Sequence, residues 1–180
     1  MSRLIQQYKN DVLPAMQKRF SIDNVMAVPK ISKVTINIGI GKITKDDKFI
    51  EKIKKDLALL TGQIPVSRKA KKSISGFKLR EGVTIGLSVT LRGKRMYDFL
   101  DRFISIALPR SRDFRGIEVS NFDRNGNLNI GIKEHSIFPE IHYESIKDIF
   151  GLQITITTTA KDKEQGIELL KLMNFPLKLK

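Results

Sequence analysis

The sequence predicts an α+β protein: one mixed or antiparallel sheet, helices packed on one face, an open polar face on the other, and a long basic loop. Three observations predict it. Segments that alternate apolar and polar residues interleave with segments of helical spacing. The order is helix, strand, helix, strand, strand, helix, strand, strand, helix, so hairpins interrupt the regular strand–helix alternation of a parallel sheet. One stretch between two strands carries six cations and no acid. With 180 residues, 41% of them apolar, the chain can bury the core of one domain spanning 1–180. There is no repeat and no low-complexity linker.

Residues 3–20 place Leu4, Ile5, Tyr8, Val12, Leu13, Met16 and Phe20 at helical spacing, with Pro14 as the main flaw. Residues 31–40 alternate, Val34, Ile36, Ile38 and Ile40 against Lys33, Thr35, Asn37 and Gly39, as a half-buried strand does. Residues 47–61 read as an amphipathic helix, capped near Asp46 or Asp47 and stopped at Gly62. Residues 64–68 suit an edge strand, because Pro65 lacks a ladder donor. Residues 83–92 alternate again and Gly93 breaks the pattern. Residues 95–108 are helical and Pro109 ends them. Residues 110–127 read as a polar loop. Residues 128–132 form a short strand, 152–159 a longer one, and Asp162 or Lys163 to Leu172 the last helix. The polar side of these strands presents Thr35, Asn37, Ser88, Thr90, Arg92, Thr155 and Thr157, mostly uncharged, a surface suited to RNA backbone and 2′-hydroxyls.

The net charge is +14, and it is unevenly placed. Residues 1–60 hold 12 basic and 6 acidic side chains, residues 61–120 hold 13 and 5, and residues 121–180 hold 8 and 8. A charge serving solubility alone has no reason to avoid the last third; an asymmetric one points to a polyanion. The densest run lies in the basic loop, residues 68–82, whose glycine and serines favour flexibility. Phe77 beside Lys78 and Arg80 has the composition of a stacking contact with RNA, or it tucks into the core. No apolar run approaches the ~20 residues of a membrane span, no signal peptide is visible, and no helix sets a basic face against a large apolar one.

Catalytic chemistry is missing. The chain has no cysteine, which excludes disulfides, thiolate metal sites and a thiol nucleophile. His135 and His142, with Glu134, Glu140 and Glu144 nearby, could form a two-histidine, one-carboxylate metal site, but surface histidines flanked by acids are the commoner reading, and their spacing supports no catalytic triad. Gly39-Ile40-Gly41-Lys42 lacks the third glycine of a dinucleotide fingerprint and the ending of a nucleotide loop. Residues 123–127 read as a turn. No cofactor and no metal are called for. An RNA-modifying enzyme would need a cofactor loop or catalytic group, and a free-standing regulator a dimer helix or helix-turn-helix; the sequence displays neither.

Several stretches resemble one family closely: Lys69 to Gly82 (KAKKSISGFKLREG), Val34 to Gly41 (VTINIGIG), Val89 to Gly93 (VTLRG), Ala107 to Arg110 (ALPR), Arg112 to Gly116 (RDFRG) and Ile137 to Ile141 (IFPEI). The family is the bacterial-type large-subunit ribosomal protein number five, and the likeness runs from about Tyr8 to Pro176. His135 stands where the family often has glutamine, Asn174-Phe175-Pro176 replaces a Gly-containing ending, and residues 177–180 resemble a short tail. The resemblance implies a non-enzymatic, cytoplasmic, ribosome-bound protein, monomeric within the ribosome. It implies binding to 5S rRNA and a link to the large-subunit rRNA in the central protuberance. Carried onto this chain, the 5S contacts are Asn37, Gln63, Thr90 and Arg92. The basic loop, with Lys71, Lys72, Ser73, Ile74, Gly76, Phe77, Lys78 and Arg80, is implied to reach the peptidyl-site tRNA. Residues 132–150 are implied to meet the small-subunit head protein number thirteen, and the near-neutral 121–180 suits a protein-facing surface.

Overall fold

Two long helices of this chain each contain a proline, and both accommodate it in the same way. The computed structural model describes residues 2–41, 47–77, 79–112, 114–141 and 149–178. Helix α1, Arg3–Gln7, runs through a π-helical turn, Tyr8–Val12, into α2, Leu13–Phe20. A proline ring lacks the N–H and clashes with the carbonyl four residues back. Here the Leu13 N–H bonds to the Tyr8 carbonyl five residues back, and Pro14 enters the first turn of α2, where no N–H is required. Helix α4, Gly93–Arg102, repeats the device: a π-helical turn, Phe103–Ala107, closes with Leu108 N–H on the Phe103 carbonyl, and Pro109 falls within α5, Leu108–Arg110. Pro109 therefore does not end this helix as its sequence suggests; the helix continues to Arg110.

The strands are β1 (Ile31–Gly39), β2 (Val66–Lys69), β3 (Thr84–Leu91), β4 (Ile117–Glu118), β5 (Leu128–Ile132), β6 (Leu152–Thr158) and β7 (Leu177–Lys178). Five form a mostly antiparallel sheet in the order β2-β3-β1-β6-β5. The remaining helices are α3, Asp47–Thr61, and α6, Lys163–Leu172. The α+β class holds. The single sheet read from the sequence is joined by a two-stranded parallel ribbon, β4 with β7, pairing Ile117 with Leu177 and Glu118 with Lys178. Residues 110–127 are thus not all loop, and Leu177 and Lys178 are not tail. Two-residue strands leave no periodicity to read. Gly116, at φ +93, turns the chain into the ribbon.

The chain forms two compact units. One comprises residues 1–34, 91–130 and 155–180, the other residues 35–90 and 131–154. In the first, Phe99 and Phe103 stack with ring centroids 6.0 Å apart. The Arg3 guanidinium donates to Asp101 Oδ1 at 2.6 Å and Ser105 Oγ at 2.8 Å, and Arg19 pairs with Glu168 at 2.6 Å. Gly166 of α6 meets the backbone of Gly126 directly.

In the second unit, Ile36, Ile38 and Ile40 are buried with Leu87 and Val89 of β3 and with Ile53, Leu57 and Leu60 of α3. The alternation of β1 and β3 orients them: apolar residues enter the core and the intervening ones face outward. His135 is also buried here. Its ring stacks on Phe150 at 4.0 Å, Nδ1 accepts the Phe150 N–H at 3.2 Å, and the His135 N–H donates to the Phe150 carbonyl at 3.1 Å. It is a packed core histidine. His142, Glu144 and the rest of 142–148 lie outside the described residues.

Candidate nucleic-acid interface

The outward face of the second unit is built by three neighbouring strands. On β1 it carries Thr35, half-buried, and Asn37, exposed; on β3 it carries Gly86 and Ser88, both buried, and Thr90, half-buried. Strand β2 pairs antiparallel with β3, Val66 opposite Ser88 and Arg68 opposite Gly86. Directly opposed residues share a face, so Val66 and Arg68 lie beside Ser88 and Gly86. None of these positions is a carboxylate. The Arg68 Nε donates to Ser88 Oγ at 2.8 Å. Sequence reasoning put Arg68 both at the end of the edge strand 64–68 and at the start of the basic loop 68–82, and did not assign it to the RNA face. The structure puts Arg68 and Lys69 in β2. The alternation of Val66 and Arg68 about Ser67 was the available signal.

Gln63 is placed by the end of α3. The Gly62 N–H donates to the Ala58 carbonyl at 2.8 Å, and φ of +65 at Gly62 makes a left-handed helix cap. The Thr61 hydroxyl approaches the Leu57 carbonyl at 2.7 Å and the Gln63 carbonyl at 3.0 Å, and accepts the Gln63 N–H at 3.3 Å. The backbone of Gln63 is therefore fixed while its side chain remains half-exposed. Arg92 follows β3 directly, in extended conformation and exposed.

The basic loop is a hairpin finger extending β2 and β3. Ala70 donates to Val83 at 2.8 Å and accepts from Gly82 at 3.0 Å; Ile74 and Leu79 exchange bonds of 2.9 and 3.1 Å. Ser73 Oγ accepts the Glu81 N–H at 2.9 Å. Phe77, in a 3₁₀ turn with Ser75 and Gly76, is 80% exposed, which excludes the core placement. Lys71, Lys72, Ser73, Ile74, Gly76 and Arg80 are exposed too, and Lys78 lies outside the described residues.

Elsewhere, the Thr155 hydroxyl donates to Asn129 Oδ1 at 2.8 Å, in the first unit. The turn at residues 123–127 is held by Asp123, which accepts from the Asn125 and Asn127 amides at 2.9 and 2.8 Å and from Asn127 Nδ2 at 2.7 Å. Burial raises the Asp123 pKa, but these hydrogen bonds outweigh it and leave the carboxyl below its ordinary range. Tyr8 and Tyr97 titrate above the ordinary phenol range, chiefly through burial. Among the described residues no three His, Asp or Glu side chains gather as metal ligands, and no helix is long and apolar enough to cross a membrane.

A basic α+β chain with an acid-free sheet face and a cationic finger has the build of a structural nucleic-acid-binding protein. Residues 24–80 match the family model described as ribosomal protein L5, and residues 84–177 match the companion model for the C-terminus of the same ribosomal family. Curated relatives named large ribosomal subunit protein uL5 are 52% identical over 178 residues in Syntrophomonas wolfei, covering 99% of this chain and 100% of that protein. The counterparts are 48% identical over 176 residues in Halothermothrix orenii, covering 98% of each chain, and 50% over 176 in Carboxydothermus hydrogenoformans, again 98% of each. The chain belongs to the ribosomal protein L5 family. It is a structural, non-enzymatic protein of the large ribosomal subunit.

Proposed function

We propose that this protein anchors 5S rRNA to the large-subunit rRNA in the central protuberance. The RNA lies against the open sheet face, where Asn37 and Thr90 supply hydrogen bonds, Gln63 reads from the cap of α3, and Arg92 adds charge after β3. The finger of residues 70–82 extends to the peptidyl-site tRNA, with Phe77 at its tip and Lys71, Lys72 and Arg80 behind it. Residues 132–150 face the small-subunit head protein number thirteen. The observation that carries this reading is the acid-free outer face of β1, β2 and β3 in the most basic part of the chain. A carboxylate there would repel phosphate; hydroxyls and amides accept or donate to sugar and phosphate oxygens.

Titration of the full chain with 5S RNA at several salt concentrations tests it. If about six cations neutralise phosphates, affinity falls about 10³-fold between 50 and 200 mM salt. Equal affinity for an unrelated stem-loop, or a flat salt dependence, overturns the reading.

A further inference from the structure

Arg68 offers a contact that neither the sequence motifs nor the finger accounts for. Lys71, Lys72 and Arg80 project from the finger, whereas Arg68, like Lys69, belongs to the sheet: it opposes Gly86 in the register that sets Val66 opposite Ser88. Ser88 is a buried polar residue at 6% exposure, and its hydroxyl accepts the Arg68 Nε–H at 2.8 Å. That bond draws the guanidinium diagonally across β3. Opposite it, Gly86 lets β3 approach β1 closely: a Cβ there would lie 3.1 Å from the Ile38 carbonyl, but only in ordinary contact, 3.9 Å, with the Arg68 Cβ. Among the described residues Arg68 makes no ion pair, so its four Nη–H donors remain available.

We propose that Arg68 is a phosphate-binding residue of the sheet face, held in position by Ser88, and that it grips the RNA backbone there. The proposal rests on the 5S reading above and adds to it a residue and its positioning partner. The chemistry favours phosphate. A guanidinium with Nε spent on a hydroxyl still presents both Nη groups, and a side chain tethered at Nε loses less freedom on binding than a free one.

The test uses the full chain and transcribed 5S RNA, with an unrelated stem-loop as control, at matched melting temperature. Arg68→Ala should weaken 5S binding about tenfold and reduce the magnitude of the salt slope by about one. Arg68→Lys should keep the slope and lose several-fold in affinity, because the charge stays while the fork is gone. Ser88→Ala should lose about threefold in the wild-type background and nothing in the Arg68→Ala background. The proposal is overturned if wild type selects 5S RNA while Arg68→Ala binds within twofold with an unchanged slope, or if the Ser88 loss is the same in both backgrounds. Wild type that fails to distinguish 5S RNA from the stem-loop overturns the parent reading instead, and this one with it.

Discussion

Replacing Gly166 with alanine puts a methyl group where there is no room. The new Cβ would lie 2.4 Å from both the Cα and the carbonyl oxygen of Gly126, and 2.8 Å from its carbonyl carbon. Ordinary contact begins at 3.4 Å, so the two backbones must part by about 1 Å. Gly126 resists the shift. Its φ is +74, Thr158 Oγ1 donates to its carbonyl at 3.0 Å, and its N–H bonds to Asp123 at 3.3 Å. Overpacking of this kind costs about 1–3 kcal/mol or more, against at most about 1 kcal/mol gained in helix propensity. A net loss of about 2 kcal/mol lowers the melting temperature of a chain this size by roughly 4–8 °C. Thermal unfolding followed by circular dichroism measures it, with Gly131→Ala, where nothing lies within 4 Å, as the control. A melting temperature at or above wild type for Gly166→Ala would refute the close-packing argument.

Asn37→Ala and Thr90→Ala should each weaken 5S binding by about 0.5–1.5 kcal/mol at unchanged melting temperature, since neither opens a core cavity; isothermal titration of single and double variants checks this. Replacing Lys71, Lys72, Lys78 and Arg80 together by alanine should leave 5S affinity within a few-fold and reduce peptidyl-site tRNA retention on reconstituted ribosomes, a split that filter binding and tRNA-release assays read separately. Asp123 titrates below its ordinary value of 3.8, so its contribution to stability is complete above that pH and is lost as the pH falls through the lowered folded value. Urea unfolding of Asp123→Asn should therefore show a shallower loss of stability toward acid than wild type.

The long elements were legible because their periodicity is long. Residues 31–39, 47–61 and 163–172 announce themselves by a sustained apolar spacing, and the structure places them within a residue or two. What escaped was decided by partners distant in sequence. The ribbon of Ile117 and Leu177 joins two dipeptides that carry no pattern alone. The passage of a helix through Pro109 depends on a wider turn that propensity does not encode. Asn37 and Thr90 could be placed on the outer face from alternation, whereas Arg68, though read at the end of an edge strand, was counted with the cations of the loop and its bond to Ser88 depends on a register that the sequence does not display. The hydrogen bonds inside the finger were equally invisible, since Ser73 to Glu81 and Ile74 to Leu79 are set by how β2 and β3 continue beyond the sheet.

The strand order also sets a timetable for synthesis. Strands β1, β2 and β3, which carry the proposed RNA face, are complete once residue 91 has been made, but β1 sits in the middle of the finished sheet, and its other neighbour, β6, arrives only with residues 152–158. For about sixty residues of elongation, the growing chain presents β1 as a bare edge, with unpaired N–H and C=O groups open to any strand that will pair with them. The nascent protein thus acquires the strands of the proposed RNA face before it acquires protection against its own kind. RNA that engages this early sheet would do so while the C-terminal half is still being translated, making order of synthesis, as well as affinity, a determinant of whether the chain assembles or aggregates.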